Sequence, residues 1–184
     1  MQIVTGTSAS LNPGLLTGLG RYRHRVFVER LGWQLRSANE LEFDQFDRDD
    51  TIYVVALDDA GEIVGTARLL PTTQPYLLGD VFPELLDGQP APRTPDVWEL
   101  SRFASMDFSA QTSSALAQCS SPIAIGLMHA SIACARAHGA ARLVSVSPLG
   151  VERLFSRAGF RWSRAGRPMQ ADKGYIVAGY IAFD

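Results

Sequence analysis

The spacing of apolar residues in the first half of the chain changes from helical to strand-like. Asn12-Pro13 is a typical N-cap followed by proline at the first helical position, and predicts a helix that runs to about Arg30. Its apolar residues recur at helical spacing: Leu15, Leu16, Leu19, Tyr22, Val26 and Phe27. The β-rich runs from Thr51 to Leu57 and from Glu62 to Leu70 flank a turn and predict a β-hairpin. Between helix and hairpin, residues 34–50 are polar and predict a long ordered loop.

The second half of the chain alternates predicted strands and helices. In order, these are a strand from Val97 to Ala104, a helix from Ser121-Pro122 to Gly139, a strand from Arg142 to Ser147, a helix from about Leu149 to Ala158, and strands from Phe160 to Arg164 and from Tyr175 to Phe183. The small, polar segment from Ser105 to Cys119 predicts a mobile loop. The order of elements predicts one α/β domain over residues 1–184, with a mixed β-sheet flanked by helices on both faces.

Composition narrows the class of protein. Hydrophobic residues make up 46% of the 184 residues and charged residues 20%, as in ordinary soluble domains. No apolar run is long enough to span a bilayer, and residues 1–11 lack a secretory signal, so a cytoplasmic location is predicted. Cys119 and Cys134 lack metal-ligand spacing with any other Cys or His, so no metal site is predicted and both are expected to be free thiols.

Charge is distributed unevenly along the chain. Residues 1–92 carry 13 acidic and 7 basic side chains, whereas residues 93–184 carry 6 acidic and 10 basic ones. Arg153 and Arg157, four positions apart on a predicted helix, indicate either a docking surface for an acidic, phosphate-bearing partner or a solvated face. A nucleic-acid partner is not predicted, because the net charge is −2 and aromatic residues are not interleaved with basic ones.

Aromatic and basic residues occur together near the end of the first predicted helix. Arg23 and Phe27 are four positions apart and share a helix face, and Trp33 follows. Such a set can hold an adenosyl group, because the rings stack and the arginine pairs with a carboxylate. The alternative is that both rings belong to the core and that Arg23 is a solvated charge.

An acidic run follows this helix. Five carboxylates lie from Glu42 to Asp50, interleaved with Phe43 and Phe46, and their spacing does not match a calcium-binding EF-hand loop. Since the phenylalanines favour burial, the carboxylates need compensation from internal arginines such as Arg68 or from a cationic ligand. A solvated acidic loop is the alternative.

The predicted strand Val97 to Ala104 carries a glutamate. Strict alternation places Glu99, Ser101 and Phe103 on one face and the intervening residues, Arg102 among them, on the other. A glutamate in a central strand is costly unless it is paired or functional. Glu99 is therefore a candidate general base, or one partner of a structural Glu–Arg pair in the core.

Together these segments resemble the acyl-homoserine lactone synthases, the LuxI-type autoinducer synthases. Two runs carry the resemblance, Arg30-Leu31-Gly32-Trp33 and Glu99-Leu100-Ser101-Arg102-Phe103. The family's diagnostic residues occur in order and at similar separations: Arg23, Phe27, Trp33, Asp44, Asp47, Arg68, Glu99 and Arg102. The resemblance covers nearly the whole chain and implies a fold similar to the GNAT acetyltransferases. Strands Val97–Ala104 and Arg142–Ser147 would then be a splayed central pair that admits an acyl thioester.

The resemblance also implies an activity in quorum sensing and roles for these residues. The amine of S-adenosylmethionine would attack an acyl thioester on acyl carrier protein, and the substrate's own carboxylate would then close the lactone and expel methylthioadenosine. Glu99 would serve as the base, directly or through water, and no cofactor or metal is implied. Arg23, Phe27 and Trp33 would shape the S-adenosylmethionine site, while Asp44, Asp47, Arg68 and Arg102 would form an ion-pair network beside it.

Acyl selectivity and donor docking follow from the same resemblance. The expected walls of a pocket for a medium-length chain are Leu100, Ser101, Phe103, Met128, Val144, Ser145, Val146 and Leu149. Ser145 falls where family members that prefer 3-oxo chains carry threonine, and it keeps the hydroxyl without the methyl. Arg153 and Arg157 would receive the carrier protein.

Two other functions stay open at this point. The first is a GNAT-type acyl-CoA N-acyltransferase, which usually carries a glycine-rich loop for pyrophosphate after its fourth strand. Ala104-Ser105-Met106-Asp107-Phe108 has no such glycines. The second is a non-catalytic sensor of an acyl or adenosyl ligand, which release of methylthioadenosine would exclude.

Overall fold

A computed structural model describes residues 1–108 and 122–183. Most of the predicted loop from Ser105 to Cys119 lies outside these residues, and so do Cys119 itself and Ser121.

The amino-terminal helix is longer than one regular α-helix. Helix α1 spans Pro13–Arg23, and the side chain of Asn12 caps it by accepting the backbone N–H of Gly14 at 2.8 Å. The helix continues as a π-helical segment, His24–Arg30, and the chain turns at Gly32, which has a φ of 65°. The predicted helix is confirmed, whereas its change from α to π winding was not predicted.

One eight-stranded sheet organises the molecule. Its strands are β1 (Gln2–Gly6), β2 (Ile52–Leu57), β3 (Ile63–Pro71), β4 (Val97–Ser105), β5 (Arg142–Pro148), β6 (Arg161–Arg164), β7 (Met169–Ala171) and β8 (Gly174–Ala182). They lie in the order β1-β2-β3-β4-β5-β8-β6, and β7 pairs with β8. All pairings are antiparallel except that between β4 and β5, so the predicted mixed sheet is confirmed.

Helices cover both faces of this sheet. Besides α1, they are α2 (Leu77–Val81), a 3-10 helix (Pro83–Leu86), α3 (Pro122–Ala137) and α4 (Val151–Arg157). Helix α3 packs on one face, against a core that includes Trp98, Leu100 and Leu143. The other face carries α1, the π-helical segment and α2. In residues 1–108 and 122–183, no helix combines the length and the hydropathy needed to cross a membrane.

Strands β4 and β5 separate partway along their length. They pair at Val97 with Arg142, at Trp98 with Leu143 and at Glu99 with Val144, and at no later residue. Both strands nevertheless continue, β4 to Ser105 and β5 to Pro148. Glu99 therefore lies where the sheet opens, and the splayed strand pair is confirmed.

A β-bulge follows this opening on β4. Ser101 pairs with Arg68 and Ala104 pairs with Thr66, so two residues of β4 stand opposite one residue of β3. Arg102, the first of the two, has a left-handed φ of 51°. A bulge re-aims the side chains that follow it, and Phe103 packs in the same core cluster as Trp98 and Leu100. The predicted alternation is therefore wrong beyond Ser101.

Candidate active site

Three arginines and three carboxylates form a buried ion cluster on the α1 face of the sheet. Its members come from α1, the acidic run, β3 and β4: Arg23, Arg68, Arg102, Glu42, Asp44 and Asp47. The formal charges balance. This balance meets the rule that buried charges are paired, and it explains why the acidic run folds inward instead of remaining a solvated loop.

Arg23 lies at the amino-terminal end of this cluster, and its side chain has no exposed surface. Its Nε donates to Glu42 Oε2 at 2.7 Å, while Nη1 and Nη2 donate to the two oxygens of Asp47 at 2.7 and 3.0 Å. Tyr53 also donates its hydroxyl to Asp47, at 3.1 Å. Arg23 is thus neither a solvated charge nor exposed to a ligand, because protein carboxylates hold both edges of its guanidinium.

Arg68 and Arg102 complete the cluster from the strands. Arg68 Nη1 lies 2.6 Å from Asp44 Oδ1 and 3.1 Å from Asp47 Oδ2. Arg102 Nη2 lies 2.8 Å from both Glu42 Oε1 and Asp44 Oδ2. The predicted network of Asp44, Asp47, Arg68 and Arg102 is present, although strict alternation would have turned Arg102 away from it. The bulge on β4 aims Arg102 at the cluster.

The arginines set the ionisation of the buried carboxylates. Burial of Asp47 opposes its ionisation, but the charges of Arg23 and Arg68 outweigh that effect and hold its pKa well below the usual range. For Glu42, burial likewise acts against ionisation, and the hydrogen bond from Arg102 and the charge of Arg23 reverse it, so its pKa is also lowered. The arginines therefore hold Asp47 and Glu42 in their charged forms at neutral pH.

Phe27 and Trp33 lie beside the cluster, as the sequence predicted. Their rings stack with centroids 5.0 Å apart and planes 25° from parallel. The backbone N–H of Trp33 donates to the carbonyl of Phe27 at 2.9 Å, which fixes the turn between them. The guanidinium carbon of Arg102 lies 5.6 Å from the Phe27 ring centroid. Phe27 is buried and Trp33 is half-buried, so only Trp33 presents ring surface to solvent.

Glu99 is fully buried on this same face. Its Oε1 accepts the N–H of Leu78 at 2.7 Å and its Oε2 accepts the N–H of Leu77 at 3.0 Å, so the carboxylate caps the first turn of α2. Burial raises the pKa of Glu99 to about 7, although these N–H donors and the charge of Arg68 favour ionisation. In the described part of the chain, no arginine pairs directly with Glu99. The alternative of a structural Glu–Arg pair is therefore wrong.

Ser101 connects Glu99 to the ion cluster. The side chains of Glu99 and Ser101 are two residues apart on β4 and point to one face. Ser101 Oγ accepts a hydrogen bond from Arg68 Nε at 3.0 Å. The site thus runs from the aromatic pair through the cluster and Ser101 to Glu99, where the sheet opens.

The residues expected to line the acyl pocket lie on two faces of the sheet. Leu100, Phe103 and Met128 belong to the core under α3. Val144 and Val146 pack on the opposite face, where Ser101 also lies. By alternation along β5, Ser145 shares the α3 side with Leu143, while Leu149 is half-buried beyond the end of β5. No single face of the sheet holds all eight residues.

Arg153 and Arg157 lie together on the exposed face of α4, as predicted. They line a surface groove of about 490 Å³ with Glu152, Ser156, Trp162 and Arg164. Arg164 is paired with Glu152, through Nε at 2.8 Å and Nη2 at 2.6 Å. Arg153 and Arg157 form no ion pair with the residues that the structure describes. The groove therefore presents Arg153 and Arg157 outside any ion pair with the described residues, although the charge of Arg153 also helps to lower the pKa of the neighbouring Glu152, behind the hydrogen bond from Arg164.

Two functional features were missed from the sequence. Glu42 holds both Arg23 and Arg102, and only its place at the start of the acidic run could have indicated it. The amides of Leu77 and Leu78, which hold Glu99, had no signal in side-chain chemistry. Within residues 1–108 and 122–183, no group of His, Cys, Asp or Glu is arranged to hold a metal ion.

Comparisons with known proteins identify the family of this chain. The family model for autoinducer synthases matches residues 11–184. An acyl-homoserine-lactone synthase from Acinetobacter baumannii is 53% identical over 178 residues, which cover 96% of each chain.

Solved structures extend the likeness to the fold. TofI, in a ternary complex with an inhibitor and MTA, has a TM-score of 0.85 and 44% identity over 100% of this chain and 92% of its own. BjaI, a CoA-dependent acyl-homoserine lactone synthase with SAM and isopentyl-CoA, has a TM-score of 0.86 and 27% identity over 99% of this chain and 83% of its own. The predicted GNAT-like α/β fold is thereby confirmed. The chain belongs to the autoinducer synthase family, the acyltransferases that make acyl-homoserine lactones.

Proposed function

We propose that this synthase acylates the amine of S-adenosylmethionine with a medium-length chain from acyl carrier protein and then closes the lactone, acting as one domain in the cytoplasm. One observation carries the proposal: a buried carboxylate, Glu99, with a pKa raised to about 7, lies where β4 and β5 separate. A base with this pKa is half ionised near neutral pH and can take a proton from an attacking amine.

Glu99 is held in place for this role by the backbone. Each of its oxygens accepts one amide N–H, from Leu77 and from Leu78, which leaves further lone pairs for the amine or for a bridging water. Fixed position matters because acyl transfer needs the nitrogen within about 3–3.5 Å of the acyl carbon. In the second step the sulfonium is already a good leaving group, so the site mainly has to orient the substrate's carboxylate toward its own γ-carbon.

S-adenosylmethionine is proposed to bind against the Phe27 and Trp33 stack. The half-buried Trp33 offers ring surface to an adenosyl group or its sulfonium. TofI, which is similar to this chain, was solved with MTA, and this supports S-adenosylmethionine as the substrate. Because its donors are bound to Glu42 and Asp47, Arg23 is proposed to position the cluster beneath this site instead of touching the substrate.

The acyl donor is proposed to be carrier protein. The groove beside α4 presents Arg153 and Arg157 without ion partners, a surface suited to an acidic protein that bears a phosphate arm. Acyl-CoA is the second candidate, because BjaI is a CoA-dependent synthase on the same fold. Both donors carry phosphate; they differ in whether an extended protein surface must also be bound.

The chain is proposed to lie in the gap between β4 and β5. Leu100, Phe103 and Met128 approach it from the α3 side, and Ser145 adds a hydroxyl that lies 3.5 Å from Ser147 Oγ. This enclosure favours a medium-length chain, and the two hydroxyls offer a polar contact to a 3-oxo group.

Matched donors test the proposal. Purified protein is incubated with S-adenosylmethionine and with acyl carrier proteins or CoA thioesters carrying the same series of chains. Thiol release, methylthioadenosine and lactone are then quantified by mass spectrometry. The expected result is stoichiometric lactone and methylthioadenosine, with higher kcat/KM for a medium chain on carrier protein. Preference for CoA would overturn the donor, a short or very long dominant chain would overturn the pocket, and binding without turnover would indicate a sensor.

A further inference from the structure

One buried donor in the site has no hydrogen-bond partner among residues 1–108 and 122–183. The Arg68 side chain has no exposed surface, and three of its contacts are made: Nη1 to Asp44 and to Asp47, and Nε to Ser101. Its remaining nitrogen, Nη2, is buried without a hydrogen-bond partner among the residues that the structure describes. Leaving a charged donor unsatisfied in the interior costs about 1–3 kcal/mol or more, so Nη2 is suited to receive an acceptor from a bound substrate.

The planar geometry of the guanidinium fixes where Nη2 lies. Nη2 shares one edge of the group with Nε, and Nη1 lies at the far corner. The Nε edge faces β4, because Nε donates to Ser101 Oγ. Nη1, in contrast, points to the carboxylates of the acidic run. The N–H groups of Nη2 are therefore directed toward β4.

Glu99 lies on the same face of β4 as Ser101, the residue that Arg68 contacts. Arg68 pairs with Ser101 in the register of β3 and β4, and Glu99 is two residues from Ser101 on the same face. The charge of Arg68 acts directly on the Glu99 carboxylate. Glu99 and Arg68 thus lie on the same face of the sheet, near the point where β4 separates from β5.

We infer that Arg68 Nη2 is the donor for the acyl carbonyl oxygen during amide formation, an inference that rests on the proposed role of Glu99. The nitrogen of S-adenosylmethionine forms a bond to the acyl carbon, and the carbonyl π-electrons move to oxygen. Glu99 takes the ammonium proton, and Nη2 donates to the oxyanion. When the carbonyl re-forms, the C–S bond breaks, and the departing thiolate takes the proton that Glu99 accepted, which regenerates the carboxylate. Donors aimed at such developing charge stabilise the transition state strongly.

Single-turnover kinetics of matched arginine variants test this assignment. Arg68→Lys keeps the charge but cannot place a donor at Nη2 while also bonding Ser101 and the carboxylates. Arg102→Lys perturbs the same cluster, but the Nε and Nη2 that it loses are bound to Glu42 and Asp44. Thiol release is measured at saturating concentrations of both substrates. Arg68→Lys is expected to lose about 10²–10³-fold in the acylation rate with an unchanged dissociation constant for S-adenosylmethionine, and Arg102→Lys less than about tenfold.

A measurement on the wild-type enzyme keeps the inference testable if Arg68→Lys does not fold. A ketone analogue of the acyl thioester, labelled with ¹³C at the carbonyl, is bound to the protein and its infrared stretch is recorded. A shift to lower frequency on binding is expected. An unshifted stretch would overturn the assignment.

Three kinetic outcomes separate the possible failures. Equal losses of acylation rate in Arg68→Lys and Arg102→Lys would show that Arg68 acts only as a structural member of the ion cluster. A weaker affinity of Arg68→Lys for S-adenosylmethionine with a wild-type acylation rate would indicate that Nη2 donates to the carboxylate of S-adenosylmethionine and not to the acyl oxygen. Absence of thiol release by the wild-type enzyme would instead refute the proposed function itself.

Discussion

The buried and the exposed arginines of this synthase differ in their pairing and in the expected effect of removing them. Arg23, Arg68 and Arg102 lie in the interior, each bonded to carboxylates at 2.6–3.1 Å. Arg153 and Arg157 lie on the surface of α4 and form no ion pair with the described part of the chain. A buried ion pair contributes little net stability but becomes very costly when one partner is removed. An exposed, unpaired arginine can be removed cheaply and acts mainly on the association of charged partners.

The largest predicted effect is the loss of stability when one arginine of the buried ion cluster is removed. Arg23→Ala leaves Glu42 and Asp47 partly uncompensated in the interior, and should lower the free energy of unfolding by about 3–5 kcal/mol. Urea denaturation followed by circular dichroism measures this change. Arg153→Ala is the control and should unfold at nearly the wild-type urea concentration. Similar midpoints for the two variants would erase the distinction between the two regions.

The second-largest predicted effect is the dependence of stability on pH, which the buried carboxylates govern. The folded-state pKa values of Asp47 and Glu42 are lowered, so their contribution to stability is fully present above their unfolded pKa values, near pH 4, and is lost as pH falls below them. Glu99 has the opposite sign: its raised pKa stabilises the fold below its unfolded pKa of about 4.5, and this contribution is lost as pH rises to about 7. Thermal unfolding from pH 3 to 8 should therefore show a steep loss at the acid end and a shallow decline toward neutrality.

That acid response depends on Arg23 and Arg68, not on the surface charges. The charge-reversal variant Arg153→Glu with Arg157→Glu should keep the same pH profile of the melting temperature. A profile that flattens in this variant would show that surface charge, not the cluster, governs acid stability.

A smaller effect is predicted on the binding of acyl carrier protein by the exposed arginines. The same double charge reversal should raise KM for acyl carrier protein about tenfold, a loss of about 1.4 kcal/mol in binding, while KM for S-adenosylmethionine stays constant. Steady-state kinetics with each substrate varied in turn gives both values. An unchanged KM for carrier protein would place the docking surface elsewhere on the molecule.

The smallest predicted effect concerns ionic strength. Raising salt from about 0.05 to 0.5 M should increase KM for carrier protein severalfold, because the Debye length falls from about 14 Å to about 4 Å and exposed charges are screened. The free energy of unfolding should change little, since the cluster is buried. A salt dependence that survives in the charge-reversal variant would show that other residues steer the partner.

The sequence predicted the order of most elements and brought together most residues of the candidate site, and each failure has an identifiable physical cause. Spacing alone located α1, the hairpin of β2 and β3, and the run from Glu99 to Arg102. It missed β1 and the π-helical winding, because residues 2–6 and 24–30 carry no pattern that separates them from coil or from an ordinary helix. The faces of Arg102 and Phe103 were wrong because the bulge depends on the pairing of β4 with β3, which one strand's alternation does not contain.

Long-range pairing explains the remaining differences. The contacts of Glu42 with Arg23 and Arg102 span 19 and 60 residues, and those of Glu99 with Leu77 and Leu78 span 22 and 21. Carboxylate density indicated that compensation was needed, but not which arginine would supply it. For the same reason Arg23 was expected to face a ligand and lies instead within the cluster.

Single-turnover acylation by Glu99→Gln tests most directly whether the buried carboxylate at the separation of β4 and β5 is the base. Gln keeps the size of the side chain and one acceptor for the amides that hold α2. Thiol release is followed from pH 5.5 to 8.5 in the wild type and in this variant, with urea denaturation as the check on folding. The wild-type rate should rise with pH through about 7, the pKa of Glu99, and the variant should lose about 10²–10⁴-fold and show no such rise. A folded variant with the wild-type rate and pH profile would contradict the account.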